Sequence, residues 1–246
     1  MLSRALPLAA SAALLLSLSA CGSSSSSSAA VDDSASTPSD STTASTSPSA
    51  GGSGSGQCTY SADPAGAAKK VNLPPSTPTV KGTVKATMIT SIGRIGLSLD
   101  AAKAPCTVNS FVSLARQGFF DKTQCHRLTE AATTGIAVLQ CGDPTGTGSG
   151  GPGYSFPDEL TGHDHYGKGV LAMANSGPNT NGSQFFLVYG DSSALDQQPN
   201  YTVFGSVDRA GVAAIAKIAA KGTDNSNGQG DGHPKVPVRI SKVSIS

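Results

Sequence analysis

The chain has 246 residues, with 17 Lys and Arg against 16 Asp and Glu, no tryptophan and few other aromatics. A net charge of +1 with no Lys/Arg block leaves no electrostatic footprint for nucleic acid. Any core must rest on Val, Ile, Leu, Phe and Ala.

Residues 1–20 have the layout of a secretory signal. One positive charge, Arg4, precedes an apolar stretch, and small residues follow. The stretch is shorter than a typical membrane span. It ends in Leu18-Ser19-Ala20-Cys21, which resembles a bacterial lipobox, where the signal is cut before the cysteine and the thiol receives a diacylglycerol. That resemblance implies lipidation at Cys21 and membrane attachment through the lipid. An ordinary signal peptide with an incidental cysteine is the other reading. Residues 22–56 are almost entirely Ser, Thr, Ala, Gly, Pro and Asp, with Val31 the sole larger aliphatic. Such a segment cannot bury enough apolar area to offset chain entropy, so residues 21–56 read as a lipidated cysteine on a disordered tether.

The folding part is expected from about residue 57 to the end, as one domain. Residues 57–79 are proline-rich with little periodicity and read as an irregular extension. From Val80 alternation begins and predicts two strands with a turn near 91–94. Thr107 is the expected N-cap of a helix with Val108, Phe111, Val112, Leu114 and Ala115 on one face, stopped at Gly118. Strands are expected over 123–128 and 136–141, then a mobile glycine-rich surface loop over 142–153. Two buried strands, 170–174 and 185–188, flank a loop of Asn, Ser, Gly, Pro and Thr. A strand over 201–207, a helix over 208–221 and a closing strand over 236–245 complete the chain. His163-Asp164-His165 offers two histidines but no evident third ligand, so no metal site is expected. About eight strands and two helices favour a mainly β fold, a closed antiparallel barrel with helices over its ends, because closure removes the edges.

Besides Cys21 there are four cysteines, Cys58, Cys106, Cys125 and Cys141. An even number beyond an export signal favours one or two disulfides, with three pairings open. Bridging Cys58 would pin the extension to the domain.

Several stretches resemble the cyclophilin-type peptidyl-prolyl isomerases, in family order. They are Gly93-Arg-Ile95, Ala104-Pro-Cys-Thr-Val-Asn-Ser-Phe111, Cys125-His126-Arg127-Leu128, Leu139-Gln140-Cys141-Gly142-Asp143, Leu171 to Phe186 and Val203-Phe-Gly205. The resemblance spans residues 80–246. It implies a closed eight-stranded antiparallel barrel capped by two helices, with the substrate in a groove on the outer face. The signal, tether and cysteines are similar to those of exported bacterial lipoprotein cyclophilins. The implied reaction is rotation about X-Pro bonds of polypeptides, without cofactor or metal, in an extracytoplasmic, membrane-anchored protein that assists folding of exported proteins. Nothing in the sequence signals oligomerisation.

By that resemblance Arg127 is the donor to the prolyl nitrogen, Gln140 orients it, and His126 shapes the pocket beside it. Phe186 is the floor of the proline pocket, with Val138 and Leu195 as walls. Asn175 pairs through its backbone with the residue before proline, Gln184 lines the same wall, and Ala174 and Gly148 lie along the groove. Tyr201 stands where many members have histidine. Counting back from Gln140, Ala137 falls where the family usually carries phenylalanine, which implies a lost aromatic wall. Ala194 replaces a tryptophan of many eukaryotic members, which implies weak cyclosporin binding. Two functions follow: an active isomerase, or a surface-tethered proline-peptide binding module with little catalysis.

Overall fold

The computed structural model describes residues 56–246; the expected signal, Cys21 and nearly all of the tether lie outside the described residues. In chain order the strands are β1 (Ser61–Ala67), β2 (Thr83–Thr90), β3 (Gly93–Asp100), β4 (Thr123–Cys125), β5 (Arg127–Thr129), β6 (Val138–Cys141), β7 (Pro152–Ser155), β8 (Val170–Met173), β9 (Phe185–Val188), β10 (Val203–Val207), β11 (Asp231–Gly232) and β12 (Val238–Ile245). Helix α1 (Pro105–Arg116) follows β3, the four-residue α2 (Ala131–Thr134) follows β5, and α3 (Arg209–Ala219) follows β10. A 3-10 turn spans Ser193–Gln197. No described helix is long and apolar enough to cross a membrane.

The molecule is mainly β. Ten strands form one antiparallel sheet in the order β11-β5-β6-β9-β8-β10-β3-β2-β12-β4, where eight were expected. The strand expected over 123–128 breaks at His126 into β4 and β5, and these lie near opposite ends of the strand order. The sheet therefore curls back towards itself. The His126 amide donates to the Gln140 carbonyl (3.0 Å), and a Cys125–Cys141 disulfide ties β4 to β6.

Alternation sorts the side chains. Val84, Ala86 and Met88 of β2, Ile95, Leu97 and Leu99 of β3, Leu139 of β6 and Leu187 of β9 point into the main core. Phe111 of α1 stacks on Phe120 (5.0 Å) and meets Phe185 edge-on (5.5 Å), which joins the helix to the sheet. The α1 cap differs from expectation. The helix starts at Pro105, and Thr107 lies inside it. The Glu159 carboxylate instead accepts from the Cys106 and Thr107 amides (2.9 and 2.8 Å), placing a negative charge at the positive end of the helix dipole. At α3 the cap is local: Asp208 accepts from the Gly211 amide at 2.7 Å.

The extension at 57–79 is less irregular than its prolines suggest. Its strand β1 pairs with β7 in a separate two-stranded sheet. A Cys58–Cys106 disulfide fixes it to the start of α1. Buried Asn109 of α1 clasps it further, donating to the Pro75 carbonyl (2.8 Å) and accepting from the Thr79 amide (3.0 Å). In a chain-entropy account the two bridges restrict the unfolded chain by about 4 kcal/mol (Cys58–Cys106) and about 3 kcal/mol (Cys125–Cys141).

The glycine-rich loop at 142–151 is tied down rather than loose. Buried Asp143 accepts from the amides of Thr145 (2.7 Å), Thr147 (3.1 Å) and Gly148 (2.7 Å). Burial alone would raise its pKa; the Thr145, Gly150 and Gly148 hydrogen bonds outweigh that and hold it below the usual carboxylate range. Gly150 has to be glycine, since a Cβ there would lie 2.0 Å from the Asp143 Oδ1. In the His163-Asp164-His165 run the aspartate is the buried member, paired with Lys103 at 2.6 Å, and His165 is exposed beside Asp196.

Candidate active site

One row of residues crosses four adjacent strands on the outer face. Arg127 of β5 sits opposite Gln140 of β6, Gln140 opposite Phe186 of β9, and Phe186 opposite Ala172 of β8. The neighbours of these residues in sequence, Leu128, Leu139, Phe185 and Leu171, all point into the main core. The row is thus the outward half of the alternation. Where the outward half is apolar it forms a second cluster of Val138, Tyr166, Ala172, Phe186, Val188 and Val203, with Ile136, Ala174, Leu195 and Tyr201 packed at its edge.

A pocket of about 120 Å³ opens over this cluster, lined by Arg127, Ile136, Val138, Gln140, Ala174, Asn175, Phe186, Leu195 and Tyr201. Phe186 is its floor, and Tyr201 meets that ring edge-on at 5.5 Å. Tyr201 is held through its backbone. The buried Tyr166 hydroxyl donates to the Tyr201 carbonyl (2.8 Å) and accepts from its amide (2.9 Å). Burial raises the Tyr166 pKa to about 12, so this brace stays protonated. Asn175 is shaped by its side chain, which donates to the Asn200 carbonyl (2.9 Å) and accepts from the Gly177 amide (3.2 Å). Its own N–H and C=O make no backbone hydrogen bond among the described residues, so both are free for a peptide.

The polar side of the pocket is a chain of held groups. The Asp231 carboxylate grips Arg127, accepting from Nε (2.9 and 3.1 Å) and from Nη2 (2.7 Å). Nη1 donates to Gln140 Oε1 at 3.3 Å. These contacts use the Nε hydrogen and one hydrogen on each terminal nitrogen, which leaves a second on each for a substrate. Gln140 Nε2 donates to Gln184 Oε1 (2.9 Å), and Gln184 Nε2 donates to the carbonyls of Gly148 (2.8 Å) and Gly150 (3.1 Å). The Asp143-anchored loop therefore sets Gln184, Gln184 sets Gln140, and Gln140 with Asp231 sets Arg127. The hydrogen bonds that Arg127 donates to Asp231, more than the burial that opposes them, lift the Arg127 pKa further above its ordinary value. The same hydrogen bonds hold the Asp231 pKa below the usual carboxylate range. The pair stays charged at neutral pH.

The structure gathers Arg127, Gln140, Phe186, Val138, Ala174, Asn175, Leu195 and Tyr201 around this pocket as the sequence predicts. Three residues fall elsewhere. Ala137 is buried and faces away, its amide bonded to Ser192 Oγ (2.9 Å) and its carbonyl to the Tyr189 amide (3.0 Å). Ile136 provides the wall instead, in phase with Val138 and Gln140. His126 sits at the break between β4 and β5 and is not among the residues lining the pocket. It is buried under Gly148, with no hydrogen-bond partner for either ring nitrogen among the described residues. Burial pushes its pKa down, which favours the neutral ring. Gln184 lines a larger neighbouring pocket, with its amide fully used as a brace. Sequence reading missed Asp231 and Tyr166. Asp231 lies 104 residues from its partner in a polar stretch of sequence, where no spacing could mark it.

A family model described as "Cyclophilin type peptidyl-prolyl cis-trans isomerase/CLD" matches residues 85–245. A Mycobacterium tuberculosis protein named "Probable peptidyl-prolyl cis-trans isomerase B" is 46% identical over 202 residues, covering 76% of this chain and 63% of the relative. Its Mycobacterium leprae namesake is 48% identical over 202 residues, covering 76% and 66%. The chain thus spans just under two thirds of the length of these relatives. A crystal structure of a cyclophilin type peptidyl-prolyl cis-trans isomerase from Cryptosporidium parvum superposes with a TM-score of 0.58 at 30% identity, covering 67% of this chain and 98% of the other. The same parasite protein crystallised in the presence of the dipeptide Ala-Pro gives a TM-score of 0.57 at 30% identity, covering 66% and 98%. The fold is the cyclophilin fold, and the chain belongs to the cyclophilin-type peptidyl-prolyl cis-trans isomerase family.

Proposed function

We propose that this chain is a peptidyl-prolyl cis-trans isomerase acting on proline-containing polypeptides. The carrying observation is a charged guanidinium, gripped by Asp231 and Gln140, at the rim of an apolar pocket floored by Phe186. Rotation about X-Pro faces a barrier of roughly 18–20 kcal/mol set by amide resonance. No covalent bond breaks, so the protein has only to favour the twisted amide over both planar forms. Twisting frees the lone pair of the prolyl nitrogen. An N–H of Arg127 donates to that lone pair, which accepts well in the twisted state alone. Because Asp231 and Gln140 fix the guanidinium in advance, little reorganisation accompanies the step. The proline ring sits on Phe186 between Ile136, Val138 and Leu195. The backbone of Asn175 holds the preceding residue, so twist develops between two fixed ends.

The alternative of a poorly catalytic binding module leaned on a missing wall at Ala137; with Ile136 in that wall the support is gone. Crystallisation of the parasite relative with Ala-Pro supports proline-peptide binding here. The sheet acts as a closed barrel in this reading, supported by the succession of β4 and β5 through His126 and by the Cys125–Cys141 bridge. The sequence at 1–21 supports export and a lipid anchor at Cys21, which would place the work on exported proteins outside the cytoplasm. The two disulfides agree with such a compartment.

The test is an isomerisation assay on an X-Pro peptide comparing wild type with Arg127→Ala. Wild type should accelerate isomerisation, and the variant should lose roughly 100-fold or more, the scale of one preorganised donor. Equal rates in the two would refute the proposal.

A further inference from the structure

The proline pocket does not stand alone. Beside it lies a larger recess of about 590 Å³. The two share Gln140, Ala174 and Asn175, so a peptide seated with its proline on Phe186 and its preceding residue along Asn175 runs on into the recess. The far wall of the recess comes from residues 62–64 of the N-terminal extension, which precede the segment matched by the family model at 85–245.

That wall is built by a break in strand pairing. Along β1 and β7, Ser61 pairs with Ser155 and Ala62 with Tyr154, then the register shifts before Ala67 meets Pro152. The extra residues bulge out. Asp63 Oδ1 closes the bulge by accepting from the Ala65 amide at 2.9 Å, and Gly66 takes the left-handed φ of +75° that the turn requires. The bulge is held at both ends. On one side are the Cys58–Cys106 bridge and Tyr60, whose ring meets Tyr154 edge-on at 5.4 Å and whose hydroxyl donates to the Cys106 carbonyl at 2.9 Å. On the other, the Ala68 amide donates to the Gly151 carbonyl at 2.9 Å.

The chemistry of the recess is one-sided. Its lining is Gly, Ser, Thr, Pro, Ala, Asn and Gln with one Tyr, and Asp63 is the single Asp, Glu, Lys or Arg among them. Asp63 Oδ1 is used in the turn, while Oδ2 has no protein partner among the described residues. Asp63 is half-buried, so its charge is less screened than that of a fully exposed carboxylate.

We propose that Asp63, set on the recess wall by the disulfide-pinned bulge at residues 62–64, is a specificity-determining residue that selects substrates carrying a Lys or Arg side chain on the N-terminal side of the X-Pro bond. This rests on the isomerase reading for the place of the proline. The partner class is an X-Pro segment with a basic residue nearby, held by one ion pair across a wet recess. The magnitude is that of a partly exposed pair, a preference of roughly 3- to 5-fold.

The experiment uses X-Pro peptides with Lys, Ala or Glu at each of the two positions before X, assayed at low salt with wild type, Asp63→Asn and Asp63→Lys. Asparagine can still close the turn through its Oδ1, so the bulge is retained. The readout is the Lys-to-Glu ratio of kcat/KM within each protein, which is insensitive to differences in folded fraction. Wild type should favour Lys about 3- to 5-fold at one of the two positions, mostly through KM, with the preference shrinking as salt rises. Asp63→Asn should bring the ratio close to one, and Asp63→Lys should invert it. A wild-type ratio of one, or the same ratio in all three proteins, overturns the proposal. Failure of the isomerase reading appears separately, as no acceleration of any peptide by wild type. Fluorescence anisotropy binding of the same peptides then gives the ratio, with the same outcomes supporting or overturning the role of Asp63.

Discussion

Replacing Asp231 by asparagine tests whether the clamp on Arg127 contributes to catalysis. The change is nearly isosteric, but it removes the charge and leaves one acceptor oxygen where two now serve Nε and Nη2. A hydrogen bond to a charged group contributes roughly 1.5–3 kcal/mol, and exposed pairs contribute less. The Arg127 side chain is 36% exposed and that of Asp231 16%, so the lower end applies, about 1–2 kcal/mol of orientation. If that energy keeps the free N–H groups aimed into the pocket, kcat/KM falls roughly 5- to 30-fold, since about 1.4 kcal/mol is tenfold. A competing effect exists: a carboxylate beside the guanidinium also dampens its positive field. Preorganisation is expected to win, because the spare N–H groups help only when they point at the prolyl nitrogen. The assay is kcat/KM by protease-coupled or NMR exchange measurement, with Asp231→Glu as a partial rescue. The pH profile adds a signature that a merely structural role would lack. Asp231 has a depressed folded-state pKa, so its contribution is complete above the unfolded-state value and disappears as pH falls through the depressed one. Wild-type activity should therefore persist into the acid range and fall only below the usual carboxylate values, and Asp231→Asn should lack that limb. Unchanged or faster turnover in Asp231→Asn would refute the clamp.

Two further outcomes separate the observed site from the one expected by alignment. Ile136→Ala should raise KM roughly 3- to 10-fold through the loss of about 1 kcal/mol of apolar contact with the proline ring. Ala137→Phe should not improve turnover: a Cβ at Gly190 would already lie 3.0 Å from that of Ala137, so the added ring overpacks and costs about 1–3 kcal/mol in urea denaturation. A gain in kcat/KM from Ala137→Phe would restore the alignment-based wall. His126→Leu should keep kcat/KM within about threefold and leave its pH profile unchanged, because the ring lies outside the pocket lining and burial favours its neutral form. Its pKa is lowered chiefly by burial, with Asp143 opposing and His233 and Arg127 adding to the shift. Wild type should therefore lose stability as pH drops below the unfolded-state value of about 6.5, and the variant should lack that contribution. A marked loss of activity in His126→Leu at pH 7.5 would put the histidine back in the chemistry.

Local pattern carried most of the fold. The alternation in β2, β3, β6 and β9 and the apolar face of α1 could be read because each is set by neighbours two, three or four residues away. The errors at α1 and in the extension share a different cause, a contact made across the chain, and that at the glycine-rich loop a buried side chain that composition does not show. Thr107 has the chemistry of an N-cap, yet the α1 amides are held by Glu159, some fifty residues on. The glycine-rich loop looks loose by composition, and one buried aspartate at its start ties it down. The prolines of residues 57–79 argue against a strand, but β1 forms because β7 and the Cys58–Cys106 bridge hold it.

The same division runs through the site. Arg127, Gln140 and Phe186 were legible as motif members, and register explains why they converge: they are mutually opposite on adjacent strands, so one turn of alternation delivers all three to one face. His126 escapes that register because it sits at the break between β4 and β5, where the chain carries it under Gly148. Ala137 misses the pocket by alternation itself: three residues before Gln140 it falls in phase with inward Leu139, while Ile136 and Val138 fall in phase with Gln140. Asp231 could not have been found by any count, because its link to Arg127 exists only once β11 pairs with β5, placing Asp231 opposite Thr129. Family motifs thus specify the groups that touch the proline, while the groups that aim them, Asp231, Tyr166 and the Asp143 loop, come from parts of the chain that only folding brings near.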